Sequence, residues 1–226
     1  MRTEIGDARR GRSWPGAVFG RLAPLLFVCG LGACSLSSTG APDALTPLPP
    51  PGYGTLSQRD ISLSLRSGDL QVMVTPLAES ILVATAPDTY RRLSALAIPS
   101  RIGAGEGSVF LVSFFSDHPD VRFVPEEVQF LSRGLRARPR SIEPLTPGWG
   151  VGRVAQRGTE MAVYVFDRAV DLESDAVLHY GLERSNEWSA ILPRIQSERA
   201  RARARAGLPG PPSGTQSSRS YFEILR

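Results

Sequence analysis

Ile61-Ser62-Leu63-Ser64-Leu65 and Leu70-Gln71-Val72-Met73-Val74 alternate strictly between apolar and other side chains, with Arg66-Ser67-Gly68-Asp69 between them. Alternation sends every second side chain of an extended chain to one face, and a short polar stretch with glycine turns it back. The segment reads as a β-hairpin with one buried face, and it sets the class of the fold. Outward from it, 80–85 (with Ile81, Leu82 and Val83) reads as another strand. Pro87-Asp88-Thr89-Tyr90 opens a short helix with apolar Leu93 and Leu96, bounded by Pro99. Residues 109–115 and 161–166 are apolar on both faces, as strands covered on both sides are. Residues 127–131 and 138–142 flank Arg133-Gly134, and 176–181 and 187–192 flank Ser185-Asn186, which suggests a last hairpin.

Eight or so short strands with frequent turn signals and no regular alternation with long helices predict an all-β chain. The expected form is an antiparallel β-sandwich, immunoglobulin-like in architecture, with one short inserted helix and a C-terminal helical tail. The Cys…Trp…Cys spacing of antibody domains is absent, and a small barrel is the alternative.

The chain has 226 residues, 42% of them hydrophobic, with 19 Pro and 22 Gly. That is enough for one packed core together with a good deal of turn and linker. Its pI of about 9.6 comes from uneven placement of charge. Arg2, Arg9, Arg10, Arg12 and Arg21 stand near the N-terminus against Glu4 and Asp7, and a second arginine run lies at 199–205. The stretch between is close to neutral, so nucleic acid is not an expected partner. Every basic residue is arginine.

Residues 1–21 are polar and arginine-bearing. An apolar run follows from Leu22 through Val28, and Leu31-Gly32-Ala33-Cys34-Ser35 closes it. A charged region, about a dozen apolar residues and then small residues make a secretory signal, because a bilayer span needs ~20. Leu31-Gly32-Ala33-Cys34 resembles the lipobox of bacterial lipoproteins, and the resemblance covers the signal alone. It implies cleavage before Cys34, acyl chains on Cys34, and residence in the cell envelope. Ser35 implies the outer membrane where there is one. Val28 is too bulky to make Cys29 an equivalent site. Two or more acyl chains hold a protein stably on a membrane, whereas one does so marginally.

These readings divide the chain into a signal peptide (1–33), a Pro/Ser-rich tether (34–59), a β-sandwich domain (60–193), an Arg/Ala helix (194–206) and a flexible tail (207–226). With Cys34 acylated, no cysteine remains for an internal disulfide, so the domain must be stable by packing alone.

No catalytic motif is present. Asp117-His118-Pro119-Asp120 offers hard ligands in a turn, but His118 and His179 are the two histidines of the chain, and a metal site needs several converging groups. His179 alternates with Leu178 and Tyr180, which makes it an exposed or structurally bonded histidine. Glu126-Glu127 reads as a charged strand start, and Gly103-Ala104-Gly105-Glu106-Gly107 as a loop lacking the strand-turn-helix setting of a phosphate cradle. No serine elbow occurs, and no cofactor is expected. Arg199, Arg201, Arg203 and Arg205 could touch an anionic surface, although a spacing of two scatters them around a helix. The expected function is therefore non-enzymatic: a membrane-tethered envelope lipoprotein whose domain binds an envelope protein or a cell-wall component. The alternatives are an accessory subunit of an envelope assembly or secretion machine, docking through the arginine helix and Tyr221-Phe222-Glu223-Ile224-Leu225-Arg226, and a hydrolase with a dispersed site.

Overall fold

A computed structural model describes residues 47–104 and 107–208, the backbone alone at 100–104. The lipobox with Cys34, the signal, the tether up to residue 46 and the tail from 209 lie outside the described residues.

The chain is mostly β, in antiparallel sheets with few helices. The elements are β1 (Leu63–Ser67), β2 (Leu70–Pro76), α1 (Glu79–Leu82), α2 (Pro87–Ala104), β3 (Val109–Ser116), β4 (Val121–Arg122), β5 (Val128–Ser132), β6 (Leu135–Ala137) and β7 (Pro139–Pro144). They continue with β8 (Arg153–Val154), β9 (Gly158–Phe166), β10 (Ala176–Tyr180), β11 (Glu183–Ser185) and α3 (Trp188–Arg205). Five strands pair in the order β1-β2-β3-β9-β7 and four in the order β11-β10-β5-β6, while β4 and β8 form a separate ribbon.

The opening hairpin forms as its alternation predicts, with Leu63 opposite Val74 and Leu65 opposite Val72, all buried. β3 and β9, apolar on both faces, sit inside the five-stranded sheet and pair along eight positions. The β5–β6 hairpin turns at Arg133-Gly134, where both residues have positive φ (49° and 74°). Two left-handed residues in a two-residue loop make the turn whose twist matches antiparallel strands, and glycine takes the second position without steric cost. The chain crosses from one sheet to the other between β6 and β7, at Arg138. Asp167 accepts from the Arg138 amide at 3.0 Å and donates its own amide to the Arg138 carbonyl at 2.9 Å. β7 begins and ends in proline and lies at a sheet edge, where a missing N–H costs no ladder bond.

Facing side chains of the two sheets meet in one core. Phe130 of β5 stacks on Phe110 of β3 at 4.6 Å, and Phe166 meets both rings edge-on. At the other end Phe114, Phe123, Trp149, Tyr164 and Tyr180 form a second aromatic group. Such ring pairs add about 0.5–1.5 kcal/mol each beyond their burial. Burial pushes the Tyr164 phenol far above its usual range, with Glu126 and Tyr180 adding to the effect. It stays protonated and donates to the Pro125 carbonyl at 3.1 Å.

Several expectations are corrected. Residues 80–85 hold no strand. Ile81 and Leu82 belong to the single turn α1, because an unalternating apolar run fits a buried helix as well as a buried strand. α2 runs through Pro99 to Ala104 instead of stopping before it. The final hairpin turns at Gly181-Leu182, not Ser185-Asn186, and the partner of β10 is 183–185. From Trp188 the chain is helical, so α3 starts six residues ahead of the expected helix at 194 and passes through Pro193. An interior proline costs a helix about 3 kcal/mol, and the burial of Trp188, Ile191, Leu192 and Ile195 on the sheets offsets that cost.

The described part of the expected tether, 47–59, lies against the domain instead of standing free. Leu56 donates to the Ala84 carbonyl at 3.1 Å and accepts from the Ala86 amide at 2.9 Å. Gly54 sits so close to this loop that a Cβ would fall 2.2 Å from the Ala84 carbonyl carbon. We call 47–59 the strap.

Candidate functional site

α2 packs on the outer face of the five-stranded sheet, against β3 and β9. Leu93 and Ala97 are buried beneath it. Beside it the same face carries a row set by register: Met73 of β2, Ser113 of β3 and Met161 of β9 are successive partners, as are Gln71, Phe115 and Thr159. Met73, Phe115 and Met161 are each half-buried. Beside α2 they floor a hollow of about 380 Å³.

Its rim is held by a short chain of bonds. Arg92 of α2 donates to Gln58 Oε1 at 2.8 Å, and Gln58 Nε2 donates to Thr75 Oγ1 at 3.0 Å. Ser62 and Thr75 share a further hydroxyl bond at 2.8 Å, and the Ser62 hydroxyl donates to the Gln58 carbonyl at 2.6 Å. Both buried hydroxyls are therefore satisfied. Arg59 and Arg92 lie exposed on this rim, and neither forms an ion pair among the described residues. The groove is thus an apolar floor of two thioethers and a ring, edged by two guanidinium groups. Thioether side chains adapt to irregular apolar partners.

The sequence-predicted residues lie elsewhere. Arg199 makes two bonds to the Glu173 carboxylate, at 3.0 and 2.8 Å, and its side chain is 12% exposed. Arg203 Nε donates to the Pro47 carbonyl at 2.8 Å. Arg205 donates to the Tyr53 carbonyl at 2.6 Å and to Glu198 Oε1 at 2.8 Å. These three therefore engage the domain itself, and two of them grip the strap. Arg201, 70% exposed and 3.6 Å from Glu198, presents most of its guanidinium outward. Glu198 is 2% exposed and also accepts from Thr55 at 2.8 Å. Burial alone would raise its pKa, but the bonds from Arg205 and Thr55 and the charge of Arg201 outweigh it and hold the carboxyl below the usual range.

His118 lies 3.6 Å from Asp69, both more than half exposed, and Asp120 pairs with Arg153. Among the described residues no three His, Cys, Asp or Glu side chains converge as a metal would require. Glu126 and Glu127 stand in a helical turn before β5. His179 projects from the outer face of the four-stranded sheet, and its Nε2 is buried without a bonding partner.

The groove was not legible as a site in the sequence. Its signal was the interruption of an apolar-both-faces strand by Ser113 and its continuation in Phe115, which floors a half-open hollow beside α2. No family model, curated protein or solved structure matches this chain.

Proposed function

We propose that this chain is an envelope lipoprotein, tethered through acyl chains on Cys34, whose domain binds a partner without chemistry. The observation that carries the reading is Leu31-Gly32-Ala33-Cys34 following a charged and then a short apolar stretch. The described residues add that no helix among them is long and apolar enough to cross a membrane.

The domain itself we read as a β-sandwich, supported by the aromatic side chains that meet between the five- and four-stranded sheets. An immunoglobulin-like form of it has the number of short antiparallel strands in its support and nothing further. The groove beside α2 is the binding surface of this reading. Its occupant is an extended peptide segment of an envelope partner, with apolar side chains on Met73, Phe115 and Met161 and a carboxylate on Arg59 or Arg92. Charge complementarity is the reason for that choice, since two cations without an ion pair among the described residues edge an apolar floor.

Two experiments test the reading. Cys34→Ser should abolish incorporation of labelled palmitate and release the protein from the membrane fraction, and retention of both would overturn the anchor. A photo-crosslinking residue at position 115 should capture an apolar, acidic segment in cells, and the Arg59→Glu/Arg92→Glu variant should lose the adduct. An adduct indifferent to those charges would overturn the groove.

A further inference from the structure

The outer face of the four-stranded sheet carries a cationic row that the groove reading does not use. Cross-strand partners share a face, and Arg184 of β11 is opposite His179 of β10, which is in turn opposite Gln129 of β5. Phe130 and Tyr180, the neighbours of Gln129 and His179, point into the core against Phe110 and Phe114, so the row faces away from it. Arg136 of β6 joins the same face, opposite Leu131, and its guanidinium donates across to Gln129 Oε1 at 2.9 Å.

Three features of this row point to a ligand. Neither Arg136 nor Arg184 forms an ion pair among the described residues, so both keep most of their donors free. His179 Nε2 is shielded from solvent yet has no hydrogen-bond partner. Native structures rarely leave such an atom orphaned, and with the charges of Arg136 and Arg184 acting on the ring, an anion that brings a proton onto Nε2 would supply the partner it lacks. Leu131 and Val177 lie alongside, half-buried, and reduce the competition from water. Glu127, near Gly181 at the end of β10, and Asp175, two residues before Val177, are carboxylates at the margins of this face, and Glu183 is opposite inward-facing Tyr180.

We propose that Arg136, His179 and Arg184 form an oxyanion site that takes a phosphate group. Guanidinium forks match tetrahedral oxyanions through paired N–H bonds. The imidazole adds a third donor, from whichever ring nitrogen carries the proton, and a second once it is protonated. Burial first, and then Arg136 and Arg184, hold the His179 pKa below its ordinary value. A bound dianion offsets the charge of both guanidinium groups, so binding raises the proton affinity of His179. A phosphate of this kind can belong to a soluble molecule or to a lipid headgroup.

The test uses the full chain in zwitterionic detergent, with inorganic phosphate as the probe and imidazole NMR as the readout. The chain has two histidines, so His118 serves as an internal control. Phosphate should shift the His179 signals saturably and raise their titration midpoint while leaving His118 in place. Chloride at equal ionic strength should not reproduce this, and Arg136→Gln/Arg184→Gln should weaken the apparent affinity at least tenfold. A parallel arm presents phosphatidylcholine vesicles with and without phosphatidylglycerol. Saturable movement of His179 in either arm supports the site, and the arm that responds names the source of the phosphate. A His179 that ignores both probes, or that moves equally with chloride, overturns it. The wild-type titration stands on its own if the double variant fails to fold.

Discussion

Gly54→Ala is the perturbation whose consequence the structure sets most closely. Gly54 does not have positive φ, so alanine suits its backbone and the cost is one of space. The added Cβ would lie 2.2 and 2.3 Å from the carbon and oxygen of the Ala84 carbonyl and 2.7 Å from the Thr85 amide nitrogen. All three are backbone atoms and cannot rotate away, so the strap must retreat by about 1 Å or more to reach ordinary contact. That breaks the Leu56–Ala84 and Ala86–Leu56 bonds two residues on. Two backbone bonds at about 0.5–1.5 kcal/mol each give a loss of about 2 kcal/mol. For a domain of this size that lowers Tm by about 4–8 °C. Urea unfolding measures the free energy, and native-state hydrogen exchange at the Leu56 and Ala86 amides locates it. A stability within about 0.5 kcal/mol of the parent, with both amides as protected as before, would refute the argument from close approach.

Glu198 gives a pH signature. Its folded pKa is depressed, so it contributes stability above its unfolded value of roughly 4.3, and this is lost as pH falls through the lower folded value. Glu198→Gln should cost about 2 kcal/mol at neutral pH and flatten the acid limb of a urea-midpoint series. Asp60 and Asp171 are also depressed, chiefly by side-chain bonds from Ser57 and Ser174, so the variant keeps part of that limb. Parallel acid limbs would rule Glu198 out as a contributor. Phe130→Ala removes a fully buried ring that touches Phe110 and Phe166, and should cost about 3–5 kcal/mol in equilibrium unfolding. A loss below about 1 kcal/mol would mean that the two sheets do not depend on this stack.

The sequence made the sheets readable wherever burial has a short period. Leu63, Leu65, Val72 and Val74 declare their hairpin locally, and the doubly apolar β3 and β9 declare their central place. Where a segment's identity depends on distant packing, local pattern failed. Ile81-Leu82 is apolar in any conformation. Trp188, Ile191, Leu192 and Ile195 do carry helical spacing, but Pro193 within them reads as a stop until their burial is known. Gly54 and Leu56 gave no sign of the loop at Ala84, about thirty residues on, because a close approach of two backbones leaves no mark in composition. The candidate surfaces were hidden for the same reason. Met73, Phe115 and Met161 look like core residues until the extent of α2 is known. His179 was readable as outward-facing, but its two arginine neighbours come from other strands and only register brings them together.

The grip of α3 on the strap has a practical consequence. Arg203 reaches the Pro47 carbonyl from the last turn of the final helix, so the first and last described parts of the domain lie side by side. A domain whose entry and exit are neighbours can be spliced into a surface loop of another protein through short connectors, without stretching the host. The same adjacency makes residues 47–208 a candidate for circular permutation: positions 47 and 208 joined by a brief bridge, and new ends opened at the exposed Gly181-Leu182 turn.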